Sequence, residues 1–457
     1  MDGMELIRSL SVDLPEDILK KKWAGDIDGA QRAIDRRLAG ELPRLLRARL
    51  LCERERLRRL PLQYPWNREQ ALERLLSLLP DITAEQLDAL EDEGKVDFLW
   101  LSGEKRYFLR FHLSLMKLPE LQLRANGQLN PASPWLDPQI AALREKGCLA
   151  RRITLEASIA PAAEAFVPGV YQAWLPLAAE TAQQSEVRVL AGEPDFVAAA
   201  DAPARTAHWR RTLAAPAPFT LRFSYVSRVR YADPLNRPAP EAPLYPDAPA
   251  PMPEDTAEDG VFIRFTPLLR SLAAELTQGA ESSLERAWRI YRYITQQVRY
   301  SFVRQYTQLD SIGEYCALNG RGDCGLQAIL FINLCRICGI PARWQSGLSI
   351  DSDSVGSHDW AQFWVEGWGW LFADPSYGGG AWRSGAEERW RFYFGNLDPM
   401  RMAANRAFMA PLQPAGRLLR LDPYDNQSGE LEREGAALPF VGREVDDSVR
   451  LVEVEEL

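Results

Sequence analysis

The sequence predicts an α+β fold, and three observations support that prediction. Residues 1–145 place charged and apolar side chains mostly at helical spacing. Residues 146–237 hold short alternating runs separated by Pro and Gly, as in a small β-sandwich. Residues 258–457 contain an apolar helix followed by strands rich in aromatic residues. A chain of 457 residues is long enough for about three domains of this kind.

The N-terminal region, residues 1–145, is predicted to be mostly helical. Thr83-Ala84-Glu85-Gln86 has the form of a capping box at the start of a helix. The arginines of Cys52–Arg59 alternate with glutamates, which indicates a solvated helix face rather than a phosphate-binding patch. Val96–Leu101 and Arg106–Phe111 predict a hairpin. This region carries no chemical motif that we can find, so we expect it to be a scaffold or to bind a protein partner.

The middle of the chain predicts strands and then a break. Arg151–Ile159 and Phe219–Tyr231 alternate as half-buried strands do. Pro238–Pro253 holds seven prolines in sixteen residues, a composition that excludes a helix or a central strand. We therefore predict a linker, or a strap on the surface, over residues 238–257.

Helix signals return in the last region, residues 258–457. Ser282-Ser283-Leu284-Glu285 is predicted to cap one helix, and a second is predicted to run from about Cys324 to Cys338, with Gly339 and Pro341 ending it. Three strands are predicted to follow, the last two joined as a hairpin: Ala342–Ile350, His358–Glu366 and Trp370–Asp374.

Charge and hydropathy exclude several classes of partner. The chain carries 54 basic and 63 acidic side chains, a net charge of −9, which disfavours nucleic acid and anionic lipid. We find neither a secretory signal nor an apolar run of roughly 20 residues. We therefore expect no nucleic-acid partner, no membrane insertion and a cytoplasmic location.

The six cysteines do not predict a disulfide framework, because a reducing compartment disfavours bridges. Cys335 and Cys338 form a CxxC motif, which can indicate zinc or redox chemistry. No second CxxC follows, and the chain has three histidines, so we interpret both as buried filler and expect no metal or cofactor.

Cys324 lies where a glycine-rich loop is predicted to become a helix. A helix N-terminus and a neighbouring imidazole both favour the thiolate, so we expect this thiol to be a nucleophile with a lowered pKa. Gly322 and Gly325 flank it and would let a substrate carbonyl approach closely. The backbone N–H of Cys324 is then a candidate oxyanion donor.

His358 is the predicted base, and Asp374 is predicted to orient it. The two ends of an antiparallel hairpin meet, so the start of one strand and the end of the other should bring these side chains together. Asp359 is adjacent to His358, but strand alternation directs it to the opposite face. Trp360 follows the base closely and is our candidate for lining a substrate groove.

These motifs resemble the transglutaminase-like superfamily in their order and spacing. The matching residues are Gly322–Ala328, Gly339–Arg343, His358–Trp360 and Trp370–Pro375. The resemblance covers about residues 260–400, and the strands before it are similar to the β-rich region that precedes this core in many bacterial members, which suggests a bacterial-type member. It implies a papain-like core, with a cysteine-bearing helix packed on an antiparallel sheet, and a Cys324–His358–Asp374 triad.

Two further features of the family, the second oxyanion donor and the calcium site, are less clear in this sequence. The family commonly completes its oxyanion site with an upstream aromatic or glutamine side chain, for which Gln308 and Tyr300 are our candidates. We predict substrate contacts at Trp360, Gly325 and Gln308. No acidic cluster has the pattern of a calcium loop, which disfavours a calcium-dependent crosslinking enzyme.

Two functions remain open. The first is a cysteine-nucleophile enzyme that forms an acyl-thioester with peptide or protein carboxamides; we favour hydrolysis, as a peptidase or amidase, over crosslinking, because water is always present. The alternative is a binding or scaffold protein on the same fold with a dormant triad.

Overall fold

The structure is a computed structural model that describes residues 3–129, 132–416, 418–420, 427–438 and 444–457. Helices and antiparallel sheets are both present, so the predicted α+β class is confirmed. Within these ranges no helix is both long enough and apolar enough to cross a bilayer. The chain divides into two compact units, Met1–Asn130 with Tyr300–Asp310, and Pro131–Arg299 with Ser311–Leu457.

The first unit is built mainly from helices around an apolar core. Thr83 and Gln86 form the predicted capping box. The strand predicted over Arg106–Phe111 ends at Tyr107, and Phe111 begins a helix instead, because a short apolar run suits either structure and here packs into the core. The elements are α1 (Gly3–Arg8), α2 (Glu16–Trp23), α3 (Ile27–Leu38), α4 (Arg44–Gln63), α5 (Arg68–Leu76), α6 (Ala84–Asp92), β1 (Phe98–Leu101), β2 (Glu104–Tyr107), α7 (Phe111–Leu115) and α8 (Pro119–Asn126).

One face of the charged run in α4 is buried, which corrects the prediction of a solvated face for that part of the run, whereas Arg54 and Arg58 are exposed. Glu53 is fully buried, and its Oε2 accepts hydrogen bonds from Arg49 at 2.8 Å and Arg56 at 2.6 Å. Residues three and four apart on a helix face each other, so these ions satisfy one another without water. The alternation of positive and negative side chains, from which we predicted a solvated face, therefore also allows Glu53 to be buried beside Arg49 and Arg56.

The second unit begins with a helix and the strands of a β-sandwich. Trp209, Phe223 and Tyr225 are fully buried between its sheets. The strands pair antiparallel, with β3 against β8 and β4 against β7. The elements are α9 (Leu136–Lys146), β3 (Cys148–Pro161), β4 (Gly169–Pro176), β5 (Gln184–Ala191), β6 (Phe196–Val197), β7 (Thr206–Leu213) and β8 (Phe219–Arg230).

The Pro-rich segment lies as a strap on the sheet that carries His358. Tyr245 makes an edge contact with Phe372, with ring centroids 5.8 Å apart. The indole Nε1 of Trp370 donates to the Pro249 carbonyl at 2.8 Å. The strap therefore covers part of this sheet.

The same unit continues into the predicted core of helices and one antiparallel sheet. The sheet order is β14-β13-β12-β11-β15, and α13 packs against β12 through Phe331 and Phe363. The elements are α10 (Pro267–Thr277), α11 (Ser283–Gln297), β9 (Arg299–Tyr300), α12 (Ile312–Asn319), β10 (Arg321–Gly322), α13 (Cys324–Ile337), β11 (Ala342–Ile350), β12 (Val355–Val365), β13 (Gly369–Ala373), α14 (Pro375–Arg383), α15 (Glu387–Phe392), β14 (Phe394–Gly395) and β15 (Arg401–Asn405).

The C-terminal strands return to the sandwich. They are β16 (Glu430–Arg433), β17 (Ala436–Ala437) and β18 (Val445–Glu456), giving sheets ordered β17-β16-β4-β7-β6 and β18-β3-β8-β5. From the sequence we predict that the C-terminal stretch extends the catalytic domain. In the structure β16 instead pairs with β4 and β18 pairs with β3, because each of these sandwich strands has an edge free for pairing. The other predicted domain boundaries remain predictions.

We predict that Leu451→Ala lowers the free energy of unfolding by about 1–2 kcal/mol, because Leu451 packs partly buried against the sandwich core. The matched control is Val452→Ala on the same strand, where the side chain is 38% exposed and the cost should stay within about 0.5 kcal/mol. Thermal unfolding of both variants measures the difference. Equal shifts in Tm would contradict a packing role for β18.

Candidate active site

The N-terminus of α13 places Cys324 at a tightly built corner. Asp323 is the N-cap, and its Oδ1 accepts a hydrogen bond from the Leu326 backbone N–H at 3.1 Å. Gly322 precedes it, where a Cβ atom would lie 2.7 Å from Leu326 Cβ and 3.0 Å from Cys316 Sγ. A side chain therefore does not fit at position 322, directly before the N-cap. Cys324 follows the cap as the first residue of the helix, and it is 9% exposed.

The thiol of Cys324 donates a hydrogen bond to Asp359 Oδ2 at 3.2 Å. Burial raises the pKa of this thiol, and the negative charges of Asp359 and Asp323 raise it further. The sequence predicts a lowered pKa for this thiol, from the helix N-terminus and an imidazole, and the structure shows the opposite direction. The difference arises because two carboxylates lie beside the sulfur and a buried thiolate has lost its solvation.

The imidazole of His358 contacts Asp374, with 2.7 Å between Nε2 and Oδ2. The β12–β13 register pairs Ala361 with Ala373, so Asp374 follows the end of β13 at the level of the His358–Trp360 stretch. Asp374 is also the N-cap of α14, since its Oδ1 accepts from the Tyr377 backbone N–H at 3.0 Å. The hairpin and the cap together fix this carboxylate against the imidazole.

Arg401 is a third member of this buried group, and no sequence motif pointed to it. Its Nη2 lies 3.1 Å from Asp374 Oδ2, and its Nε donates to Asp398 Oδ2 at 2.8 Å. The guanidinium also lies 4.1 Å from the centroid of the Tyr377 ring, on which His358 stacks at 4.5 Å. Two carboxylates and one aromatic face thus surround a buried cation.

These contacts set the protonation of the pair. Burial alone would raise the pKa of Asp374, but the charges of His358 and Arg401 outweigh it and lower the pKa to about 2. Burial lowers the pKa of His358, against the pull of Asp374, so the imidazole is neutral at pH 7. Because an ionised carboxylate only accepts, Nε2 carries the proton and Nδ1 is the basic nitrogen.

Strand alternation along β12 separates the contact of His358 with Asp374 from the contact of Asp359 with Cys324. Neighbouring residues of β12 project to opposite faces, so Asp359 shares a face with Phe363, whose ring contacts Phe331 of α13 at 5.5 Å. His358 starts from the other face. Within the part of the chain that the structure describes, the hydrogen-bond partner of the Cys324 thiol is Asp359 and not His358. The structure therefore brings together His358 with Asp374, and Cys324 with Asp359.

Trp360 does not line a groove, which corrects that expectation. It is completely buried, and its Nε1 donates to Gln345 Oε1 at 2.9 Å. The indole packs in a cluster with Tyr245 and Phe372 beneath the Pro-rich strap. Its position two residues after His358 puts it on the same face of β12, and that face is covered here.

The remaining predicted contact residues lie in different units. Gly325 is buried in the first turn of α13. Gln308 belongs to the first unit, where its Nε2 donates to the Arg56 carbonyl at 2.8 Å. Tyr300 is the last residue of β9, and the boundary between the two units falls between Arg299 and Tyr300. The amide of Gln308 is thus already used inside its own unit, and its predicted oxyanion role gains no support.

Gln427 is a contact residue that the sequence did not reveal. Its Nε2 donates to Asp359 Oδ1 at 2.5 Å and to the His358 carbonyl at 2.9 Å. It is 4% exposed, although it lies in a polar stretch far along the chain from Cys324. No local pattern signals this role, because the sandwich strands bring the residue back to β12.

Residues 270–375 match the family model of the transglutaminase-like superfamily. The chain is 15% identical to a "Putative Cysteine Protease" from Cytophaga hutchinsonii, over 67% of this chain and 91% of that one, with a TM-score of 0.43. It is 17% identical to the periplasmic domain of TgpA from Pseudomonas aeruginosa, over 57% of this chain and 97% of that one, with a TM-score of 0.27. No curated protein matches the chain.

We predict that Gly347→Ala disturbs the sheet at His358, its cross-strand partner. A Cβ atom at Gly347 would lie 2.0 Å from the Met402 carbonyl oxygen, so β11 and β15 must separate, at a cost of about 1–3 kcal/mol. Gly356→Ala in the same hairpin is the control, since its Cβ would meet nothing within 4 Å. Thermal unfolding together with the His358 imidazole NMR signal checks this, and an unshifted G347A signal would contradict it.

We also predict that His358 titrates below the ordinary imidazole pKa of about 6.5, because burial disfavours the cation. Asp374→Asn should lower the midpoint further, since it removes the charge that favours imidazolium. The chain has three histidines, so imidazole NMR across pH 4–8 is readily assigned with single variants. A wild-type midpoint at or above about 6.5 would disprove the direction.

Proposed function

We propose that the chain is a cysteine-dependent enzyme with Cys324, His358 and Asp374 as its catalytic triad, and the match of residues 270–375 to the transglutaminase-like family model supports this proposal. The substrate is a peptide or protein carboxamide, and the intermediate is an acyl-thioester. The buried 2.7 Å contact between His358 Nε2 and Asp374 Oδ2 supports this most directly. It orients an imidazole and selects the tautomer that can accept a thiol proton.

The reaction begins with a neutral thiol and a neutral imidazole. The Cys324 sulfur forms a bond to the substrate carbonyl carbon, the thiol proton moves to His358 Nδ1, and the carbonyl π electrons move to oxygen. Asp374 stabilises the imidazolium that results. The tetrahedral intermediate then expels the amine, which takes the proton back from Nδ1 and leaves an acyl group on sulfur.

The start of α13 supplies the first oxyanion donor. The first N–H groups of a helix have no acceptor within the helix, and that of Cys324 is among them. The helix dipole adds positive potential where the oxyanion forms. The N-terminus of α13 therefore stabilises the oxyanion of the transition state, and the proposed mechanism uses neither a metal nor a cofactor.

We favour water over an amine as the second nucleophile, which makes the enzyme a peptidase or amidase. The side chains described above around Cys324 and His358 are carboxylates, aromatics, one arginine and the amide of Gln427, and they do not mark an amine-binding pocket. Water reaches any site that a peptide can enter.

The bond from Cys324 to Asp359 favours a second candidate, a binding or scaffold protein with a dormant triad. A protonated thiol held by a carboxylate is a poor nucleophile. In that case the helical first unit would bind the partner, and Cys324 would be a structural residue.

A covalent acyl adduct separates the two candidates. We expect peptide amides to leave an acyl group on Cys324, seen by mass spectrometry of the intact chain and its peptides. Cys324→Ala should abolish the adduct, and His358→Ala should slow its formation by about 10²–10⁴-fold because the general base is lost.

Cys148→Ala is the matched control, since this partly exposed cysteine lies on β3 of the sandwich and should not affect the adduct. Hydroxylamine added during turnover measures partition of the acyl group between water and an amine. If no adduct forms on the wild-type chain with a broad peptide library, the dormant scaffold is the better description.

A further inference from the structure

The corner around Cys324 contains a chain of contacts that the triad does not use. The thiol donates to Asp359 Oδ2, and Asp359 Oδ1 accepts from Gln427 Nε2. All three side chains are at least nine-tenths buried. Each contact joins parts of the chain that are distant in sequence: the start of α13, the strand β12 and the residues just before β16.

Gln427 reaches this position because the sandwich holds the residues that follow it. Glu430 begins β16 and pairs with Trp174 of β4. Gly429 has a φ of +105°, and a Cβ there would lie 2.9 Å from Leu175, so the chain turns tightly onto the sandwich. Ser428 Oγ lies 3.2 Å from Ser357 Oγ, one more contact with β12. The amide of Gln427 is therefore fixed by the fold.

We propose that Asp359, held by Gln427, is a positioning residue that keeps the Cys324 thiol in a resting orientation directed away from His358. This inference rests on the proposed function, because a resting orientation requires that His358 be the base of the active form. Conversion to that form moves one hydrogen bond: the S–H group leaves Asp359 and turns to His358 Nδ1. No covalent bond changes and no co-reactant is needed.

The charges around the two groups agree with this assignment. The sulfur faces Asp359 from β12 and Asp323 from the α13 cap, both of which favour the protonated thiol. The imidazole faces Asp374 at the start of α14, with Arg401 and Asp398 behind it. The Cys324 thiol therefore holds its proton most tightly while it contacts Asp359. In the proposed active form, His358 Nδ1 is the group that accepts this proton.

Alkylation of Cys324 by iodoacetamide, followed by peptide-level mass spectrometry from pH 5.5 to 10, tests the proposal on the full chain. Removing the charge in Asp359→Asn should raise the rate at pH 7.5 by about tenfold or more, because one unit of pKa changes the thiolate fraction tenfold. Gln427→Ala should raise it less, in the same direction. The rate at Cys148 in the same samples is the internal reference.

Ser357→Ala is the matched control, since it removes a contact with the C-terminal stretch without touching the thiol or Asp359. Its Cys324 rate should equal that of the wild type. An unchanged or slower rate in D359N, with an intact unfolding transition, overturns the proposal, and a slower rate would make Asp359 the proton acceptor. If D359N does not fold, the sign of the change in Q427A decides the question.

The proposed function can fail separately. If D359N accelerates alkylation in both the wild-type and the His358→Ala background while no acyl adduct forms, the positioning contact stands and the triad does not. If adducts form and D359N leaves the alkylation profile unchanged, the triad stands and the resting contact is overturned.

Discussion

The alternation of side chains along β12 is the constraint on which the chemistry of this protein depends. His358 and Asp359 are neighbours, and an extended strand must send them to opposite faces. One face leads to Asp374 and the other to the thiol at the start of α13. The strand therefore presents the imidazole of His358 on one face and the carboxylate of Asp359, which accepts the thiol hydrogen bond, on the other.

The buried charges around Asp374 show why the imidazole is so firmly placed. An isolated carboxylate in this position would be neutralised, because burial disfavours its charge. Arg401 and His358 keep it ionised, while the first turn of α14 uses its second oxygen. One residue thus caps a helix, pairs with a cation and orients an imidazole. Loss of any partner would leave a buried charge uncompensated, which makes this group costly to alter.

The sandwich is part of the site's construction and not a separate appendage. Leu348 of β11 and Met402 of β15 belong to the same apolar cluster as Trp209 of the sandwich. The C-terminal strands then close both sandwich sheets and return Gln427 to β12. Sandwich and core consequently fall in one compact unit, because they share a hydrophobic core and a returning chain.

Local signals in the chain, namely caps, periodicity and alternation, are enough to predict the α+β class, the helix that begins at Cys324 and the hairpin that brings His358 to Asp374. Three outcomes come from the folded chain instead: Trp360 is covered, Glu53 and Arg56 are buried, and Arg401 and Gln427 reach the site. These outcomes depend on contacts between residues far apart in the chain, for which no short pattern exists. Asp359 is the instructive case: alternation correctly sent it away from His358, and packing of α13 on that face made it the partner of the thiol.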